Sequence, residues 1–173
     1  MQCGAPMKVE DGKDIFHCEY CGSYNFSNPN KDGIALLDEI SPYVCPSCNQ
    51  PLVTAIIKNI HIFACPVCRG NLINQAKMLS ILRLASSPDT VREDQPSPPD
   101  RSEFQRKLVC PGCMETMEAY PYGGPGNIII QGCSHCQLIW LDFGELTRVV
   151  RSYSQMYQTA PDERGQKKQS VKF

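Results

Sequence analysis

The sequence predicts a small α+β protein stabilised by metal: tandem units, each a β-hairpin set between two Cys-x2-Cys knuckles, with a short helix following the second and third units. Three observations lead there. Ten of the eleven cysteines in the 173 residues fall in pairs with two residues between partners. The stretch that begins at Cys68 recurs, without a gap, from Cys136. Between the knuckles lie β-branched runs broken by turn residues.

The pairs are Cys18 with Cys21, Cys45 with Cys48, Cys65 with Cys68, Cys110 with Cys113, and Cys133 with Cys136, and Cys3 stands alone. The opening residues carry no basic lead followed by an apolar stretch, and no apolar run approaches about 18 residues, so neither a secretory signal nor a membrane span is expected. A cytoplasmic location is the expectation, and in a reducing compartment such cysteines are more often metal ligands or reactive thiols than disulfides.

Composition divides the chain into an incomplete first unit with a connector (1–43), a second unit (44–85), a linker (86–104), a third unit (105–158) and a tail (159–173). The linker holds four prolines and five acids without any periodic pattern, which predicts disorder and freedom for the third unit to move. The tail is polar and expected to be disordered. Net charge runs −4, +4, −3, 0 and about +2 along these segments, and no segment is basic enough to demand nucleic acid.

The repeat explains the helices. Leu72 aligns with Trp140, Ile73 with Leu141, Asn74 with Asp142, Met78 with Leu146, Ile81 with Val149 and Arg83 with Arg151. Asn74 and Asp142 are expected as N-caps. Glu145 completes a capping box, and Ile73 with Met78, like Leu141 with Leu146, are placed as hydrophobic staples. Apolar residues then recur at three and four positions, giving each helix one face to bury. Hairpins are expected around Lys58-Asn59, around Asp11-Gly12, and through the Gly/Pro-rich loop of the third unit.

Spacing carries the chemistry. Sixteen residues separate Cys48 from Cys65 and nineteen separate Cys113 from Cys133, both within the range of zinc sites built from two Cys-x2-Cys pairs. Cys45, Cys48, Cys65 and Cys68 form one expected Zn2+ site, and Cys110, Cys113, Cys133 and Cys136 a second. Four thiolates fill zinc's tetrahedron and leave no position for a substrate, which makes such a site structural and the protein no enzyme. Iron would use the same ligands. Thiol–disulfide catalysis wants a cysteine at a helix N-terminus, whereas Cys68 and Cys136 precede their N-caps by six residues. Units of this size have little core, and structural zinc contributes on the order of 10 to 16 kcal/mol, so metal should dominate their stability.

Cys3, Cys18 and Cys21 make a third, incomplete site. A knuckle partner for Cys3 would fall just before Met1, so the expectation is either a longer reading frame with cysteine there or a three-thiolate site completed by His17, the Met1 amine or water. Cys3-Gly4 repeats Cys21-Gly22, the form expected where the chain turns tightly around a metal.

The third unit, with "CPGC" and then "CSHCQLIWLDFGEL", resembles zinc ribbons of the type named after transcription factor TFIIB, in their short bacterial form. The second resembles them through "CPSC" and "CPVCRG", with Leu-Ile-Asn in place of Trp-Leu-Asp. The first, with "CGAPM" and "CEYCG", resembles a more general zinc ribbon. The resemblance implies structural zinc and macromolecular contacts, not a reaction.

Other residues read as structural. Trp140 is expected to pack the helix start and not to stack on a base, because its repeat mate is Leu72. Asp142 and Glu145 have the spacing of a capping box, not of an acid–base pair. His61 and His135 are expected to be spectators of sites already complete in sulfur. Lys58, Arg69, Lys77 and Arg83 give the second unit its charge, of which zinc with four thiolates, at a formal −2, cancels about half. The function expected is a non-enzymatic interaction or adaptor protein with a protein partner. Nucleic-acid binding through residues 44–85, as a transcription-associated factor, is the alternative, and membrane contact is not expected.

Overall fold

The computed structural model describes residues 3–9, 15–21, 24–26, 30, 32–85, 101–122 and 128–158. The Asp11-Gly12 turn, the loop at 123–127, residues 86–100 of the linker and the tail 159–173 lie outside the described residues. A first, three-stranded sheet has the order β1 (Lys8–Val9), β2 (Ile15–His17), β3 (Tyr24–Phe26), all antiparallel. The hairpin expected in the first unit is therefore present.

The larger sheet has seven strands in the order β4-β5-β6-β7-β10-β9-β8. Its members are β4 (Ala35–Val44), β5 (Pro51–Ile57), β6 (Ile60–Ala64), β7 (Asn71–Asn74), β8 (Glu118–Pro121), β9 (Ile129–Cys133) and β10 (Leu138–Leu141). Each of the second and third units contributes its hairpin, β5–β6 or β8–β9, and then a third strand after the second knuckle. The hairpin β5–β6 turns on Lys58 and Asn59 as expected, with φ of 48° and 63°. Positive φ at both turn residues matches the right-handed twist of the flanking strands.

Two expectations are corrected. β7 and β10 pair antiparallel, so the two units are joined edge to edge in one sheet and the third does not move freely on a linker. Linker residues Arg101–Gln105 form the short helix α2, where disorder was expected across 86–104. A further strand, β4, was not foreseen. It runs through the boundary drawn at residue 43, and its pairing with β5 is interrupted by register shifts on either side of Ile40.

Alternation along the strands divides the core between the two faces of the sheet. On one face lie Ile57, Ile62, Ala64, Ile73, Ile130, Ile139 and Leu141, covered by α1 (Gln75–Ala85) through Met78, Ile81 and Leu82 and by α3 (Glu145–Gln158) through Leu146, Val149 and Val150. On the other lie Leu52, Leu72, Leu138 and Trp140 together with Leu108, Met117 and the inner cysteines of both knuckle pairs. The staple residues Ile73, Met78, Leu141 and Leu146 all belong to the helix-side core. At about 25 cal/mol per Å² of apolar surface, a core shared between two units stabilises more than either could alone.

Candidate metal centres

The four knuckles of the second and third units are built by the same backbone device. The amide of the first cysteine donates to the carbonyl five residues on, as from Cys45 to Gln50, Cys65 to Gly70 and Cys110 to Glu115, at 2.8 to 2.9 Å. The residue after the second cysteine donates back to the first cysteine's carbonyl, from Asn49, Arg69 and Met114. The fourth knuckle follows the pattern, with Cys133 paired to Leu138. The residue after each second cysteine takes positive φ: Asn49 59°, Arg69 61°, Met114 65° and Gln137 56°. That turn aims both side chains of a knuckle to one side. Backbone amides also point at sulfur, with Cys68 N–H to Cys65 Sγ, Gly112 N–H to Cys110 Sγ and Cys136 N–H to Cys133 Sγ, each 3.4 Å.

Three clusters result, each with its sulfurs within 4.8 Å of one another: Cys45, Cys48, Cys65 and Cys68; Cys110, Cys113, Cys133 and Cys136; and Cys3, Cys18 and Cys21. Sulfurs of opposite knuckles approach to 3.5 Å for Cys45 and Cys68, 3.4 Å for Cys48 and Cys65, and 3.5 Å for Cys113 and Cys133. Four thiolates at about 2.3 Å from a tetrahedral zinc lie about 3.8 Å apart, so the donor set and its spacing fit zinc. The clusters are two complete sites and one incomplete one, all consistent with zinc binding.

Thiols held this close resist ionising together. Burial pushes Cys45 up, Cys68 to about 11 and Cys136 to about 12. The Gln50 amide brings Cys48 down to about 7, and the Cys136 amide lowers Cys133. A divalent cation supplies the charge that lets the remaining thiols lose their protons, and so zinc uptake releases protons.

His61 and His135 are both exposed and neither joins a cluster. His17 lies in β2, and its side chain is outside what is described. Trp140 is fully buried and donates through Nε1 to Asp142 at 3.0 Å, so it offers no face to a base.

The helix starts differ from expectation in one copy. Asn74 caps α1 through Oδ1 to the Ala76 amide, 3.0 Å. Glu145 reaches back to the Asp142 amide at 2.8 Å, as a capping box requires. The Asp142 carboxylate, however, pairs with Arg106 and accepts a hydrogen bond from Trp140 Nε1–H, and among the described contacts it caps no helix amide. Asp32, 112 positions away from Gly144, accepts that residue's amide at 3.2 Å and also the Thr147 hydroxyl. Arg106 extends as well to Ser47 Oγ at 2.6 Å, tying the strap before the third unit's first knuckle to the second unit's first knuckle.

Knuckle geometry, the clustered cysteines and the hairpin between them make the second unit recognisable on its own. Its residues 44–84 match the family model described as transcription factor zinc-finger. Residues 44–84 are a TFIIB-type zinc ribbon. The matched ribbon is the unit without Trp-Leu-Asp, so that ending, which carries the third unit's resemblance, is not needed for the match. Comparison with curated proteins and with solved structures gave no match.

Proposed function

We propose that the chain is a non-enzymatic, zinc-binding adaptor in which the third unit is a second TFIIB-type ribbon of the short bacterial form. In this reading Cys45, Cys48, Cys65 and Cys68 hold one zinc and Cys110, Cys113, Cys133 and Cys136 another. Cys3, Cys18 and Cys21 offer three ligands to a third. The zinc ions supply folding energy and cross-links, and a four-thiolate sphere leaves no open position for catalysis. The chain is taken to work in the cytoplasm. No helix among the described residues is long and apolar enough to cross a membrane.

The observation that carries the adaptor reading is the outer face of α1. Leu79 and Leu84 are exposed there beside Lys77 and Arg83, in a unit without a single acid. Residues 77, 80 and 84, with 79 and 83 alongside, line one helical stripe that the sheet does not cover. Exposed leucines interspersed with cations suit an acidic, amphipathic protein segment.

The second reading, nucleic-acid binding, is favoured by the same positive charge and by the family's description as a transcription factor module. Against it, the one tryptophan is buried and Arg69 lies over the Phe143 ring at 5.1 Å, so basic and aromatic groups do not interleave along an open strand. The test pairs Leu79→Glu and Leu84→Glu in the full chain. The adaptor reading expects unchanged zinc content and loss of a protein partner that the unaltered chain retains. Salt-dependent binding of nucleic acid that survives this double substitution, with no protein partner lost, would replace the adaptor by the second reading.

A further inference from the structure

We propose that a clasp supplied by the third unit, with Arg106 as its positioning residue, makes the second unit's cluster hold zinc more tightly than the third unit's own, so that the third cluster releases its metal first. The inference rests on the reading that both four-cysteine clusters hold zinc.

The loop between β10 and α3 grips both knuckles of the second cluster. Asp142 receives Arg106, whose Nη2 donates at 3.3 Å to Asp142 Oδ1 and at 2.6 Å to Ser47 Oγ, inside the Cys45–Cys48 knuckle. Phe143, the next residue, lies under the guanidinium of Arg69, 5.1 Å from the ring centroid, and Arg69 directly follows Cys68. Repeat symmetry returns only part of this grip. The image of Phe143 against Arg69 is Gln75 against Gln137, where the Gln75 amide donates to the Gln137 carbonyl at 2.8 Å. The Arg106 bridge has no image. With Cys45 laid on Cys110, Arg106 falls on Ser41 and Ser47 falls on Gly112, which has no side chain. Ser41 Oγ bonds instead to the backbone of Tyr43.

Charge reinforces the asymmetry. Zinc with four thiolates carries a formal −2. At the second cluster that charge faces a cation: burial works against the Arg106 charge, and Asp142, Glu145 and the Cys68 sulfur favour it. At the third cluster it faces an anion, because Glu115 Oε2 lies 3.8 Å from Cys113 Sγ. The residue in that place in the second unit is the neutral Gln50. A neighbouring cation stabilises an anionic metal–thiolate complex and a neighbouring anion opposes it. Partners just outside the ligand sphere change metal affinity by about 10- to 100-fold, enough to set an order of release.

The test is site-resolved release. Full-length, reduced, zinc-loaded chain is mixed with excess chelator and N-ethylmaleimide, and the cysteines freed with time are identified by peptide mass spectrometry. Cys110, Cys113, Cys133 and Cys136 are expected to be alkylated about tenfold faster than the cysteines of the second cluster. Arg106→Gln should speed the second cluster by about the same factor and leave the third unchanged, and Arg106→Lys, which keeps the cation, should restore part of the difference. Glu115→Gln, which touches no part of the clasp, should slow the third cluster. Raising the ionic strength should speed the second cluster in the unaltered chain and not in Arg106→Gln, a dependence that a purely structural role for Arg106 would not produce. Equal rates at the two clusters of the unaltered chain, or an Arg106→Gln variant that speeds both clusters alike or neither, would overturn the proposal. A chain that binds no zinc at either cluster would instead overturn the metal-binding reading on which it rests.

Discussion

Leu72 and Trp140, which occupy the same place in the two copies of the repeat, lie directly opposite each other across the β7–β10 ladder. An antiparallel pair whose repeat equivalents face one another has a local two-fold axis at that point. The neighbouring pairs obey it, because Asn71 with Leu141 and Ile73 with Ile139 are images of each other under the repeat. Side chains break the symmetry by exchanging volume. Trp140 covers Gly70, while the repeat images of these two residues are Leu72 and Leu138, both in the same core. One large and one absent side chain replace two of middle size.

That exchange leaves no room for a side chain at residue 70 while Trp140 is in place. A Cβ there would run into the Trp140 indole ring. Gly70→Ala is expected to lose about 1 to 3 kcal/mol by overpacking. In urea unfolding, combining it with Trp140→Leu should cost less than the two single changes added together. Strict additivity would mean that the two residues do not touch.

The two helix starts should respond differently to alanine. Asn74→Ala removes an N-cap and should cost about 1 kcal/mol. Asp142→Ala leaves Arg106 without its carboxylate and the buried Trp140 N–H without an acceptor, and hydrogen bonds to charged groups contribute about 1.5 to 3 kcal/mol, so the larger loss is expected here. Denaturant midpoints of the two variants, compared at equal m, decide it. Equal losses would return Asp142 to a simple cap.

Glu145 gives the fold a pH dependence. Burial lifts its carboxyl from an ordinary 4.5 to about 7. Because the folded value is raised, the folded chain holds the proton more tightly than the unfolded one. The resulting stabilisation is complete below about 4.5 and is lost as pH rises through about 7. Thermal melts of the unaltered chain and of Glu145→Gln should differ in slope across this window, with only the former losing stability toward neutral pH. Zinc-ligand protonation affects both alike, and parallel curves would contradict the assignment.

What could be read from the sequence was local. Cysteine spacing gave the clusters, Lys58-Asn59 the turn, and Asn74 the cap, because each depends on residues within a few positions. The repeat also assigned Trp140 to the core, since Leu72 keeps its bulk and loses its aromatic face. Contacts between distant segments left no such trace. Asp32 caps a helix that starts more than a hundred residues later, Arg106 takes Asp142 from its expected role, and β7 pairs with β10 through short apolar runs that read equally as the approach to a helix. Their partner choice is set by the dyad, which spacing within one unit cannot reveal.

The shared sheet changes what loss of one ligand does. Cys136→Ser should expose the third unit and, through the β7–β10 ladder, loosen Leu72 and Ile73 of the second. Hydrogen exchange should show faster amides in β7 as well as in β9 and β10. Unchanged protection in β7 would mean that the two ribbons fold independently.

The most direct test of the zinc-ribbon account is elemental analysis of freshly reduced, full-length protein before and after brief exposure to a mild chelator. Two zinc ions per chain should remain, held by the two four-cysteine clusters, and any third should be removed from Cys3, Cys18 and Cys21. Iron in place of zinc, or a chain folded with no metal in either complete cluster, would contradict it.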